Sequence, residues 1–132
     1  MWKLNLTKSK IPSQNAANLK ESVIVMRAID ANTYESISTD TTKDGKTSVT
    51  KWTVPITGGI QKYQQGGPAA GISILAAKID PYSIINIYLQ NGKQIGIMQL
   101  NISKDGKTMS GSATYPDEKG KITEWHWQFE KQ

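Results

Sequence analysis

Short runs of alternating apolar and polar residues, separated by glycine turns, dominate this chain, and helical periodicity is almost absent. Only Gln14 to Lys20 has the composition for a turn or two of helix. The turns are Lys43-Asp44-Gly45-Lys46, Gln90-Asn91-Gly92-Lys93, Lys104-Asp105-Gly106-Lys107 and Glu118-Lys119-Gly120-Lys121. Asp-Gly and Asn-Gly pairs accept positive φ at both central positions, as a two-residue type I′ hairpin requires. Their recurrence predicts an antiparallel meander. Two hairpin units echo each other: Ile29-Asp30-Ala31-Asn32-Thr33-Tyr34 leads to Asp44-Gly45, and Ile79-Asp80-Pro81-Tyr82-Ser83-Ile84 leads to Asn91-Gly92.

The turns predict a register. A two-residue Asn91-Gly92 loop opposes Leu89 to Gln94, Ile87 to Gly96, Ile85 to Met98 and Ser83 to Leu100. An Asp105-Gly106 loop opposes Ile102 to Met109, Leu100 to Gly111, Met98 to Ala113 and Gly96 to Tyr115. Opposed residues share a face. One face then carries Ile85, Ile87, Leu89, Met98, Leu100, Ile102, Met109 and Tyr115. The other carries Asn86, Gln99, Asn101, Ser110, Ser112 and Thr114, with Ile84, Tyr88, Ile95 and Ile97 as apolar exceptions. For the last strand, Ile122 to Phe129, side-chain volume chooses the phase: Trp125 over Ala113, Trp127 over Gly111 and Phe129 over Met109 pair large with small. The opposite phase would expose both indoles, each forgoing roughly 1.5–3 kcal/mol of burial. In the first half, an Asp44-Gly45 loop opposes Ile37 to Trp52, Glu35 to Val54 and Thr39 to Thr50, a hairpin polar on both sides as expected near a barrel mouth. Pro55 to Pro68 is rich in glycine and reads as a mobile flap.

With no helical layer to cover its apolar face, the sheet must close on itself or form a sandwich. The prediction is an all-β, antiparallel up-and-down meander of about 8–10 short strands closing into a barrel, with residues 1–132 as a single domain.

Composition narrows the chemistry. The chain has 132 residues and no cysteine, which excludes disulfides, thiolate chemistry and cysteine-bound metal. One histidine cannot supply the imidazoles of a catalytic zinc site, so neither a metal nor a cofactor is expected. No run of about 18 apolar residues occurs, so the chain is not expected to span a membrane. The net charge of +5 comes from scattered lysines, with Arg27 the only arginine. Nucleic-acid readers concentrate arginine and gather charge into a stripe, so no nucleic-acid partner is expected.

The opening Trp2-Lys3-Leu4-Asn5 with Lys8-Ser9-Lys10, the Ile29 to Tyr34 segment, and Ser103-Lys104-Asp105-Gly106-Lys107-Thr108-Met109 resemble small lipocalin-like proteins of bacteria, which are secreted or periplasmic. The resemblance is spread over most of the chain as hairpin signatures. It implies a calycin-type barrel entered from one open end by small apolar molecules, with Trp2 closing the floor. The usual Gly-x-Trp opening is incomplete, because only Met1 precedes Trp2. No catalytic residue comes with the resemblance. It implies a secreted or periplasmic location, with any signal peptide missing from this sequence; a cytoplasmic one stays open.

Candidate sites follow. His126 faces Ser112, with Glu124 two residues before it on the same side, an arrangement of base, nucleophile and orienter but on a flat polar face. Gly66-Gly67-Pro68-Ala69-Ala70-Gly71-Ile72-Ser73 nearly spells a phosphate loop, but Ile72 stands where the lysine belongs. Asp40, Asp44, Asp105 and Asp117 have no calcium-loop spacing. Trp52, Tyr63, Tyr115, Trp125 and Trp127 are the candidate ligand contacts, over space left by Gly96, Gly111 and Ala113, with Gly58 to Gly67 as a lid. The expected function is binding of a small apolar or amphipathic molecule inside the barrel without catalysis, by a monomer or weak homodimer. Two alternatives stay open: a protein-interaction or inhibitory module with a filled barrel, using the patch around Tyr88, Ile95 and Ile97, and a weak hydrolase using His126.

Overall fold

The computed structural model describes residues 1–55, 60–64, 71–116 and 119–132, with 13–15 and 60–64 as backbone only. Among them are ten strands and one short helix: β1 (Trp2–Leu4), α1 (Ser13–Asn18), β2 (Leu19–Asp30), β3 (Thr33–Thr42), β4 (Thr47–Pro55), β5 (Ile60–Gln64), β6 (Ser73–Asp80), β7 (Ser83–Gln90), β8 (Lys93–Ile102), β9 (Thr108–Pro116) and β10 (Ile122–Lys131). The nine strands β2 to β10 form an antiparallel up-and-down meander, and β1 inserts between β2 and β10. The order runs β4-β3-β2-β1-β10-β9-β8-β7-β6-β5, and β5 returns beside β4 without a hydrogen-bonded ladder, so the barrel is nearly closed.

The expected register holds across β8, β9 and β10. Leu100 opposes Gly111, Met98 opposes Ala113, Trp125 opposes Ala113, Trp127 opposes Gly111 and Phe129 opposes Met109. Phe129 is buried, both indoles are half-buried and His126 is exposed, so the aromatic residues point inward.

Two other hairpins differ from the sequence reading by one residue. In β3–β4, Ser36 opposes Trp52 and Tyr34 opposes Val54. The Thr42 N–H donates to the Lys46 carbonyl at 2.9 Å, so the loop holds three residues, and only Gly45 takes positive φ. That is the three-residue hairpin closed by a left-handed glycine, and the extra residue inverts the faces. In β7–β8, Asn91 and Gly92 both have positive φ, as a type I′ turn requires. Ile95, however, is an extra residue: Leu89 opposes Gln94 but Tyr88 opposes Gly96. This bulge turns Ile84, Asn86 and Tyr88 inward and leaves Ile85 and Ile87 outside. Asn86 and Tyr88, expected on the outer face, are therefore buried. The middle of the expected flap is also ordered differently, as Ile60–Gln64 is a strand paired with β6; residues 56–59 and 65–70, including most of the near phosphate loop, lie outside the described residues.

The interior has two parts. Trp52, Val54, Ile74, Ala76, Tyr88, Met98, Leu100 and Ala113 form the larger cluster. Trp2, Leu4, Met109 and Phe129 form a second along the β1, β9 and β10 wall, which is where Trp2 sits. The up-and-down path places the β2–β3, β6–β7 and β8–β9 turns at one end of the barrel, and the β3–β4 and β7–β8 turns at the other.

Candidate functional site

Large inward residues gather toward the second of these ends. Tyr115 lies over Gly96: a methyl added at Gly96 would press into its ring, 2.7 Å from Cε1. Trp127 and Leu100 cover Gly111 in the same way, at 2.9 and 2.8 Å from an added methyl. The rings continue in a chain, Tyr88 to Tyr115 at 5.5 Å and Tyr115 to Trp125 at 6.3 Å both T-shaped, and Trp125 to Trp127 at 5.8 Å tilted. The space expected above Gly96, Gly111 and Ala113 is thus filled by those aromatic residues.

The empty space lies toward the other end. A cavity of about 290 Å³ is bounded by Met26, Tyr34, Val54, Ala76, Ile84, Leu100, Ile102 and Met109, and reaches the rim at Ala28, Pro81, Tyr82 and Ser83. The strand alternation explains this wall, since Tyr34 pairs with Val54 and Ala28, and Ile84 pairs with Leu100 and Lys78. Room exists because Ala28 and Ala76 are inward positions without bulk. The two echoing segments form turns at this rim, each closed by its aspartate: Asp30 accepts from the Asn32 N–H and Asp80 from the Tyr82 N–H, both at 2.7 Å. Ile29, Ile79 and Tyr82 around them are exposed.

Polar groups on the wall are few. Burial pushes the Tyr34 hydroxyl up to about 12, with Tyr88 adding to the effect, so it stays a neutral phenol across physiological pH. Burial also raises Tyr88 and Tyr115. Lys78 occupies an inward position at the rim opposite Ile84. Arg27 borders the cavity, but its Nε donates to Glu35 at 2.7 Å, and Lys51 pairs with the other oxygen of the same carboxylate. These two cations, Lys51 foremost, hold the Glu35 carboxyl below the usual range.

Of the sequence-derived ligand residues, Trp52, Tyr115, Trp125 and Trp127 belong to or border the larger core cluster and do not bound this cavity. Tyr63 falls in β5 opposite Ile74, and its side chain lies outside the described residues. Sequence reasoning missed Ala28, Ala76 and Lys78. The signal was there, in small residues at inward positions beside the two echoing turns, but it required the inverted parity of β3 and β7.

A second depression, of about 270 Å³, lies on the outer face among Ile85, Ile97, Gln99, Ser112, Thr114, Glu124 and His126. Ser112 and His126 are cross-strand neighbours as expected, and both are exposed, as is Glu124. No side-chain hydrogen bond joins the three among the described residues, and the His126 backbone is tied to Lys10 at 2.7 and 2.8 Å. Ile97 remains on this face, whereas Tyr88 has left it. Among the described residues no group of three or more His, Cys, Asp or Glu could hold a metal ion. No family model matches the chain, and no curated protein or solved structure is significantly similar to it.

Proposed function

We propose that the barrel binds a small apolar or amphipathic molecule in the cavity beside the Asp30–Thr33 and Asp80–Ser83 turns, without transforming it, in the manner of lipocalin-like carriers. The observation that carries this reading is an apolar space of about 290 Å³ that reaches the rim of the barrel. Such a volume holds roughly ten methylene-sized groups at ~30 Å³ each, near the lower limit of small-molecule pockets. At ~0.5 kcal/mol per heavy atom, a guest of that size binds with a Kd of about 0.2 mM. A secreted or periplasmic location belongs to the same proposal and rests on the resemblance to small lipocalin-like proteins.

The test uses N-phenyl-1-naphthylamine, a neutral probe that brightens in apolar surroundings and whose ten-carbon naphthalene ring matches the cavity while the phenyl ring stays at the open rim. The wild-type protein should enhance and blue-shift its emission with saturation. Ala76→Phe, which fills the cavity from a buried inward position, and Ala28→Trp, which obstructs the mouth from an exposed one, should each weaken binding at least about five-fold with an unchanged circular dichroism spectrum. A folded wild-type protein that leaves the probe dark would overturn the proposal.

A further inference from the structure

The rim of the cavity holds one cation, Lys78, that has no ion-pair partner among the described residues. Lys78 pairs with Ile84, which places it on the inward face of β6, one inward position beyond Ala76. Its side chain reaches water, as an aliphatic stem along an apolar wall allows. Among the described residues it has no hydrogen-bond or ion-pair partner. The other charged groups of the cavity wall and of the β2–β3 and β6–β7 turns have partners of their own. Arg27 and Lys51 share Glu35, and the Asp30 and Asp80 carboxylates accept backbone N–H groups of their own turns. The remaining polar side chains of the wall, Tyr34, Tyr82 and Ser83, are hydroxyls.

Resting on the cavity reading above, we infer that the bound molecule is an amphiphile with a single anionic headgroup, a carboxylate or its equivalent, held at the rim by Lys78 while the apolar part fills the interior. The depth of the site is apolar, so any charge on the guest has to remain at the mouth, where desolvation is incomplete. An ammonium is a point charge on a flexible stem and selects charge rather than headgroup shape. The attraction at a solvated rim is modest, and salt screens it.

Displacement of the neutral naphthylamine probe by decanoate, decanol and decylammonium separates the headgroup from the chain. With wild-type protein at low salt, decanoate should compete about two- to five-fold better than decanol, and decylammonium worse than both. Lys78→Gln should make decanoate and decanol equal, and Lys78→Glu should favour decylammonium; the advantage of decanoate should fade at 1 M salt, where the Debye length is about 3 Å. Decanol matching decanoate on the wild type, or a decanoate advantage that survives Lys78→Gln, overturns the inference. If the probe binds and none of the three displaces it, the headgroup assignment fails while the cavity reading stands. If the probe itself does not bind, both fail.

Discussion

Gly96→Ala adds one methyl at the place where the aromatic end of the barrel has least room. That methyl would lie 2.7 Å from Cε1 of Tyr115, closer still to Cδ1, and 3.0 Å from the Thr114 carbonyl oxygen. Tyr115 cannot simply swing aside, because its ring is set against Tyr88 on one flank and Trp125 on the other, and Trp125 against Trp127. Two effects oppose each other. Gly96 does not have positive φ, so alanine suits the backbone and gains about 0.4–1 kcal/mol by restricting the unfolded chain. Overpacking a tight interior costs about 1–3 kcal/mol. With a chain of rings to displace, the steric effect should win, leaving a net loss of about 1–2 kcal/mol and a fall in Tm of roughly 4–8 °C. Urea melts followed by tryptophan fluorescence and by far-ultraviolet circular dichroism measure it. Repeating Gly96→Ala in a Tyr115→Leu background removes the obstructing ring edge, and there the methyl should be neutral or stabilising by up to about 0.5–1 kcal/mol. If Gly96→Ala leaves the otherwise wild-type protein as stable as before, or costs the same in both backgrounds, the filled-end reasoning is wrong.

The Ser36 hydroxyl is fully buried with no hydrogen-bond partner among the described residues, so Ser36→Ala should raise stability by about 1 kcal/mol in urea melts; a loss would mean the hydroxyl is satisfied. Alkaline pH should destabilise the fold. Tyr34 ionises near 10 when unfolded but only at about 12 when folded, so between these values the unfolded chain binds fewer protons and stability falls by up to about 1.4 kcal/mol per pH unit. Melts between pH 8 and 11 should show the fall, to which Tyr88 and Tyr115 also contribute because burial raises them, and Tyr34→Phe should lessen it by Tyr34's own share.

How much was legible depended on what sets each register. The β8–β9 pairing follows the Asp105-Gly106 turn, and for β10 volume decides: only one phase lays Trp127 on Gly111 and Trp125 on Ala113, and the structure adopts it. Turn chemistry was a weaker guide. Lys43-Asp44-Gly45-Lys46 and Lys104-Asp105-Gly106-Lys107 are the same four residues, yet the first closes with Thr42 on Lys46 and the second with Ser103 on Thr108. In both, a hydroxyl before the turn donates to the aspartate, so the local chemistry is shared and the loop length is not. Competition between the two faces for burial has to settle it. On β3 this brings in Tyr34 and Ser36 against Val54 and Trp52. In β8 the Ile95 bulge follows an authentic Asn-Gly turn, and Ile95 is the same residue type as Ile97, so composition does not mark it. Gly96, just past the bulge and beneath Tyr115, is the trace it leaves.

The placement of the cavity follows from the same two parity changes, and its energetics bear on how the fold tolerates it. A sealed, dry void of about 290 Å³ would cost roughly 7 kcal/mol at ~24 cal/mol per Å³, about half or more of a typical domain's stability. The space here instead reaches the rim at Ala28, Pro81 and Tyr82, so solvent enters and that penalty does not apply in full. The walls stay apolar, and water among Met26, Val54, Leu100 and Met109 finds few partners. A guest that fills the same volume therefore gains by releasing poorly bonded water, without having to open a close-packed interior. Leucine at position 76 would narrow this space and bury more apolar surface. Alanine leaves it open, and it is the one inward residue of β6 between fully buried Ile74 and the rim lysine.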